Sequence, residues 1–418
     1  MKVSYLFSAS ALLLASATLA QSPEQVAEAA LEAAPVFDGH NDVPIQLRGR
    51  WRNVIGDFDF VDTTDTGPEH SERRTMHTDL NRLREGKVGA QFWSVYVSAA
   101  LEEPEAIQAT LEQIDVTKRL VARYPEDLAL ATTADEVEAA LADDQIASLL
   151  GIEGGYSIGS SLGVLRQMHE LGVRYMTLTH STTLSWADSA TDDPVHGGLT
   201  EFGENVVREM NRLGMLVDLS HVSEGTMSDA LDIATAPVIF SHSGARAVNG
   251  HARNVPDTIL RRLPQNGGVV MVVGLPGYLS EDARRWYSLR QAEEARLATL
   301  WQGQPERVEA GLVMWEGSNP EPKATISDMA DHIDHIREIA GIDHIGIGGD
   351  YDGMDTGPVG MEDVSGYPGL FVELARRGYS QEDLEKIAMR NVLRAMRGAE
   401  ATAAAQSGMP PIETPVPD

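Results

Sequence analysis

The chain has 418 residues, 42% of them hydrophobic, enough for one large barrel or two ordinary domains. Its formal net charge of −30 repels phosphate backbones and anionic headgroups, which excludes nucleic-acid binding and membrane-surface binding through basic patches. There is no cysteine, so disulfides and thiolate metal sites are excluded, and any zinc has to be held by nitrogen and oxygen.

Residues 1–20 read as a secretory signal peptide: Lys2, an apolar stretch from Leu6 to Leu14, then the small residues Ala15, Ala17 and Ala20 before Gln21. Cleavage is expected after Ala20 or Ala17, giving a periplasmic or secreted protein. The stretch is too short for a comfortable membrane span, so no stable membrane anchor is expected.

Residues 21–398 alternate short β-branched or apolar runs with longer segments of helical periodicity. Strands are predicted at Val36–His40, Gly89–Val97, Ser148–Glu153, Arg174–Thr179, Leu216–Ser220, Val238–Ser241, Val269–Val273 and Ile345–Gly349. Helices are predicted between them, among them Glu105–Tyr124, Ala134–Ala142, Phe202–Leu213 and Ser327–Ala340. Repeated units of this kind predict an α/β fold, a (β/α)8 TIM-like barrel with its site at the carboxyl ends of the strands. A doubly wound open sheet is the alternative, but no Gly-rich phosphate loop follows the first strand.

After the seventh strand, residues 275–323 carry Trp286, Trp301 and Trp315 among many charges, too long for an ordinary connection. They read as a largely helical insertion near the barrel mouth. The stretch from Ala399 to Asp418, rich in Ala and Pro, reads as a disordered tail.

Acids and histidines recur where the apolar runs stop. His40 and Asp42 are spaced i, i+2, which on an extended strand puts both on one face, where they can hold a divalent ion. Glu153 closes Leu149-Leu150-Gly151-Ile152 and precedes two glycines; a carboxylate there is costly unless paired or metal-bound, and it can bridge two cations. His221 and His242 close consecutive strands and would sit side by side at the rim, suited to a second ion. Asp350, after Ile345-Gly346-Ile347-Gly348-Gly349, is either a further ligand or a proton carrier. His180 is placed to stabilise an oxyanion or hold substrate, and Arg253 to fork onto a carboxylate. Asp352 is read as shaping the turn.

These windows together resemble the membrane dipeptidase (renal dipeptidase) family of zinc hydrolases over most of residues 35–400. The match includes Asp38-Gly39-His40-Asn41-Asp42, Gln91-Phe92-Trp93-Ser94-Val95-Tyr96, Glu153-Gly154-Gly155, Leu178-Thr179-His180-Ser181 and Trp186-Ala187-Asp188. It continues through His221-Val222-Ser223, Phe240-Ser241-His242-Ser243, Arg253-Asn254-Val255-Pro256-Asp257 and Gly349-Asp350-Tyr351-Asp352-Gly353.

The resemblance implies a barrel with two zinc ions: His40 and Asp42 on one, His221 and His242 on the other, Glu153 bridging. It implies hydrolysis of dipeptides by a water shared between the ions, with Asp350 as proton shuttle and His180 and Arg253 contacting substrate. A homodimer is the assembly common among relatives. Ile45 and Tyr156 depart from the family pattern at positions able to alter side-chain selectivity. Two other readings stay open: a metal-dependent barrel hydrolase acting on cyclic amides, lactones or phosphate esters, and an exported protein that binds metal or peptide without turnover.

Overall fold

The computed structural model describes residues 21–66 and 75–415. The predicted signal peptide therefore lies outside the described residues. Nine parallel strands form one sheet: β1 (Val36–Asn41), β2 (Val88–Tyr96), β3 (Leu128–Leu130), β4 (Ile146–Glu153), β5 (Val173–Thr177), β6 (Leu216–Asp218), β7 (Ile239–Phe240), β8 (Val269–Val273) and β9 (Ile345–Gly348).

The sheet runs β2-β1-β9-β8-β7-β6-β5-β4, and a direct β2–β4 pairing from Ala90↔Ala147 to Tyr96↔Glu153 closes it. Without β3 this is an eight-stranded parallel barrel with helices between successive strands, and closure rules out the open-sheet alternative. The extra strand β3 pairs with residues 146–148 of β4, and β5 pairs with residues 150–153. Because β2 occupies the opposite edge throughout, β3 and β5 share one edge of β4, end to end.

Strands buried on both faces read as near-continuous apolar runs, and β4 and β8 are buried at every position. The outer ring follows ordinary helix chemistry. Helix Glu201–Leu213 starts at Thr200, whose hydroxyl accepts the Gly203 amide, and stops at Gly214, left-handed at φ 76°. Its buried Val206, Val207 and Met210 lie at the 3–4-residue spacing of one face.

Two further parts of the chain lie outside the repeating barrel units, and the second differs from the sequence reading. Residues 275–323 form helices Glu281–Leu300 and Pro305–Ser318, clasped by Trp286 against Trp315 at 5.7 Å and by an Arg290–Glu316 ion pair at 2.7 Å. The sequence places a disordered tail from residue 399, whereas helix Asn391–Ala405 runs through that point with Ala399 buried. Farther on, Ile412 donates its amide to the buried Glu209 and accepts from Arg166. Alanine-rich composition was misleading there because small side chains let this helix pack closely, with Gly214 against Ala403. Among the described residues, no helix is long and apolar enough to cross a membrane.

Candidate active site

All of the rim residues named from the sequence gather at the carboxyl ends of the barrel strands. Glu153, last residue of β4, stands at the centre. Its Oε1 lies 3.0 Å from His221 Nε2, 3.4 Å from His242 Nε2 and 3.7 Å from His180 Nε2. Its Oε2 lies 3.4 Å from His40 Nε2 and accepts the Ser94 hydroxyl at 3.1 Å. His40 Nε2 is also 3.3 Å from Asp42 Oδ2.

Three overlapping groups have ligand atoms close enough to share an ion: His40 with Glu153 and His242; Glu153 with His180 and His221; and His40 with Asp42 and Asp350. His180 thus stands beside the predicted ligands, slightly farther from Glu153, with its ring stacked on His221 at 4.2 Å.

The second ring nitrogens explain why the first ones converge. His40 Nδ1 is 2.9 Å from the Tyr175 hydroxyl on β5, and His242 Nδ1 is 2.9 Å from the Ser241 hydroxyl. Ser241 and Thr177 both donate to Asp218 Oδ2, at 2.6 and 2.5 Å. With its own proton on Asp218, Ser241 accepts from His242 Nδ1–H, which leaves the His242 Nε2 lone pair facing the centre.

The residues fit a cation. His221 Nε2 and His242 Nε2 face each other at 2.9 Å beside Glu153, and His40 Nε2 is buried with no hydrogen-bond partner. Convergent lone pairs around a buried carboxylate repel one another unless a proton or metal ion sits among them. Burial holds His221 and His242 well below the usual imidazole range, with Arg253 adding to it for His221 and His40 and then Arg253 for His242, which favours the neutral form of both. Burial opposes the charge on Glu153, but His40 and His180 outweigh it and hold the carboxyl well below its usual range. His40 differs: burial opposes its charge, but Tyr175, Glu153 and Asp42 outweigh burial and hold it well above the usual imidazole range, so in the metal-free centre it carries the proton that a cation would displace. A deprotonated Glu153 and neutral His221 and His242 are already in the forms that bind metal.

Backbone geometry shapes the same rim. His221 and Asp350, each just beyond a strand, adopt left-handed φ of 68° and 64°, uncommon for non-glycine residues and often retained where a site needs it. Asp38 and Asp218 make two matching anchors. Each carboxylate accepts the amide two residues on, His40 or Ser220, and an amide of the neighbouring strand end, Gly349 or Ser241. Asp38 also accepts the Tyr367 hydroxyl at 2.7 Å. Gly151 has to be glycine because the Tyr175 ring lies where its Cβ would be, 2.1 Å away.

Above the centre is a cavity of about 340 Å³ lined by Asp42, Glu153, His180, His221, Arg253 and Asp350, among others. Arg253 is buried, makes no ion pair among the described residues, and has its Nε without a partner. Its contacts are long ones to the Ser243 hydroxyl and the His242 carbonyl, and its guanidinium sits 5.4 Å from the Tyr278 ring centre. A buried guanidinium without a counter-ion is costly, and an anionic group entering the cavity would offset that cost. Burial pushes the Asp350 carboxyl well above the usual carboxylate range, with His40 opposing and Asp42 and Glu153 adding to it.

Sequence reasoning missed Tyr96, a cavity-wall residue whose ring lies 4.8 Å from that of His180, along with Tyr278, Tyr175, Asp38 and Asp218, and read Asp352 only as a turn former. Asp352 is buried, lines the cavity, and accepts the His77 amide at 2.9 Å. Asp38 and Asp218 carried a signal, an acid at the end of an apolar run, equal to the one that exposed Glu153. Tyr278 carried none, since it lies in the short helix Pro276–Leu279 after β8, away from the end of any apolar run.

Comparison with known proteins agrees with this geometry. Residues 24–409 match the family described as "Membrane dipeptidase (Peptidase family M19)". Dipeptidase 3 of Rattus norvegicus is 41% identical over 389 residues, 92% of this chain and 69% of that protein. Dipeptidase 3 of Homo sapiens is 40% identical over 396 residues, 94% of this chain and 70% of that protein.

Among solved structures, the probable dipeptidase PvdM from Pseudomonas aeruginosa superposes with a TM-score of 0.76 at 25% identity, covering 91% of this chain and 99% of that one. A metallopeptidase from Rhodobacter sphaeroides, liganded with a phosphinate mimic of the dipeptide L-Ala-D-Ala, superposes at 0.71 and 25% identity, covering 88% and 99%. The chain belongs to the membrane dipeptidase family, peptidase family M19, a family of metallo-dipeptidases.

Proposed function

We propose that the protein hydrolyses dipeptides at a centre of two zinc ions held by His40, Asp42, Glu153, His221 and His242. The observation that carries this reading is the convergence of four imidazoles on the Glu153 carboxylate directly beneath a buried, uncompensated Arg253. Glu153 lies within reach of all the histidines and is the residue suited to bridge. A zinc pair bound there supplies Lewis acidity for the scissile carbonyl and a hydroxide nucleophile near neutral pH.

The chain's own residues do the rest. Arg253 binds the terminal carboxylate of the substrate, which sets its length at two residues. His180, at the cavity wall and partly open to it, donates to the carbonyl oxygen as negative charge develops. Asp350 takes the nucleophile's proton and delivers it to the departing amine. Its place beside Asp42 and His40 puts it next to the reacting atoms. The leader-like residues 1–20 support export of the enzyme.

The test is zinc stoichiometry together with a panel of dipeptides, cyclic amides, lactones and phosphate esters, measured after chelation and after zinc is restored. Two zinc ions per chain and chelator-sensitive cleavage confined to dipeptides support the proposal. Hydrolysis indifferent to chelation, or directed at the other esters and amides, overturns it.

A further inference from the structure

A second cavity of about 370 Å³ abuts the first, and the two share Leu275, Tyr278 and Gly353 as a common wall. Its far side is built by the insertion: Tyr287, Ser288 and Gln291 of helix Glu281–Leu300 face Met354 and Thr356 across it. Tyr278 is the partition. Its ring meets the Arg253 guanidinium at 5.4 Å and the His251 ring at 4.4 Å, with His251 lining the second cavity.

Resting on the dipeptidase reading, in which Arg253 holds the substrate carboxylate, we infer that this second cavity receives the side chain of the C-terminal residue. The carboxylate and that side chain leave the same carbon, so a carboxylate on Arg253 starts the side chain beside Tyr278, at the shared wall. The floor of the first cavity is taken by Asp42, Glu153, His180, His221, His242 and Asp350, the groups that would hold metal and the reacting carbonyl, which leaves the second cavity as the neighbouring space for a side chain.

The second cavity favours a bulky uncharged side chain. Arg284 is committed to Glu281 through two contacts of 2.8 and 2.5 Å, and the Tyr287 hydroxyl is committed to Glu321. His251 is driven down to about 4 by burial and by Arg253, and it accepts the Arg253 amide through Nδ1. Asp355 also lines the space and disfavours an acidic side chain, and the rest of the wall is chiefly ring and methylene surface from Tyr278, Tyr287, Leu275, Pro276 and Met354. The insertion thus sets selectivity for the second residue of the dipeptide.

The test compares kcat/KM for Gly-Phe and Gly-Gly in the zinc-loaded full chain and in Ser288→Trp and Gln291→Trp, which fill the cavity from an exposed helix face. The readout is a ratio within one preparation, so loss of folded protein cancels. We expect the unmodified protein to favour Gly-Phe by about tenfold or more and the filled variants to lose most of that preference. A ratio near one in the unmodified protein, or an unchanged ratio in both variants, overturns the subsite while leaving dipeptide hydrolysis intact. Cleavage of neither dipeptide overturns the dipeptidase reading and the subsite with it.

Discussion

Asp218 accepts the hydroxyl proton of Ser241 at 2.6 Å, and this one contact decides which nitrogen of the neighbouring His242 carries the proton, leaving Nε2 free toward Glu153. Asp218→Asn places a donor where the hydroxyls of Ser241 and Thr177 now donate. Ser241 then turns its proton toward His242 Nδ1 and the wrong tautomer results. Zinc affinity should fall about 10–100-fold in a folded protein. Chelator competition against the unmodified protein checks this, and unaltered affinity would remove Asp218 as a positioning residue.

On the two-zinc reading, Asp350→Asn should keep the metal content of the unmodified protein and lose most of kcat, by roughly 10²–10⁴-fold, because the variant side chain cannot carry the proton. Metal analysis and steady-state rates on the same sample check it. Full activity with full zinc would end the proton-shuttle assignment.

Arg253→Met should lower kcat/KM for free dipeptides by about 10–100-fold, the worth of a charge-assisted contact of roughly 1.5–3 kcal/mol. C-terminally amidated dipeptides should be affected far less, since they bring no carboxylate. Equal losses for both substrate types would place the carboxylate elsewhere.

Gly353→Ala should damage the centre although glycine there carries no chemistry. A Cβ at that position would lie 2.1 Å from Asp42 Oδ2 and 2.8 Å from Asp350 Oδ1. Both carboxylates would have to move, so zinc content and kcat should fall together while thermal stability of the metal-free protein changes little.

His332, buried behind the barrel mouth, accepts the Ala245 amide on Nδ1 and donates from Nε2 to the Leu279 carbonyl. Burial lowers it to about 4, below the unfolded value of about 6.5. Above pH 6.5 both states are neutral and its contribution is intact. As pH falls from about 6.5 through about 4, the unfolded chain takes a proton that the folded one refuses, and stability of order 3 kcal/mol is lost. Replacing His332 with Gln, which can keep both hydrogen bonds, should flatten that part of the stability profile in denaturant titrations at stepped pH.

The barrel and much of its rim were legible in the sequence for physical reasons. A strand buried on both faces has to be an apolar run, and an acid or imidazole at its end is costly unless something binds it, so Glu153, His221 and His242 stood out. The insertion was legible from its length and three tryptophans, and the terminal helix was not, because alanine-rich composition fits either a packed helix or a loose end.

What only the tertiary structure decided lies across strands. No one-dimensional pattern says that Tyr175 of β5 reaches His40 of β1, that Asp218 orients a histidine on the next strand end, or that Tyr278 divides two cavities. Sequence fixes the kinds of ligand, since those depend on the residues present. Which nitrogen each ligand presents, and how much room the substrate has, depend on barrel closure and on the register between strands, where residues far apart in the chain become neighbours.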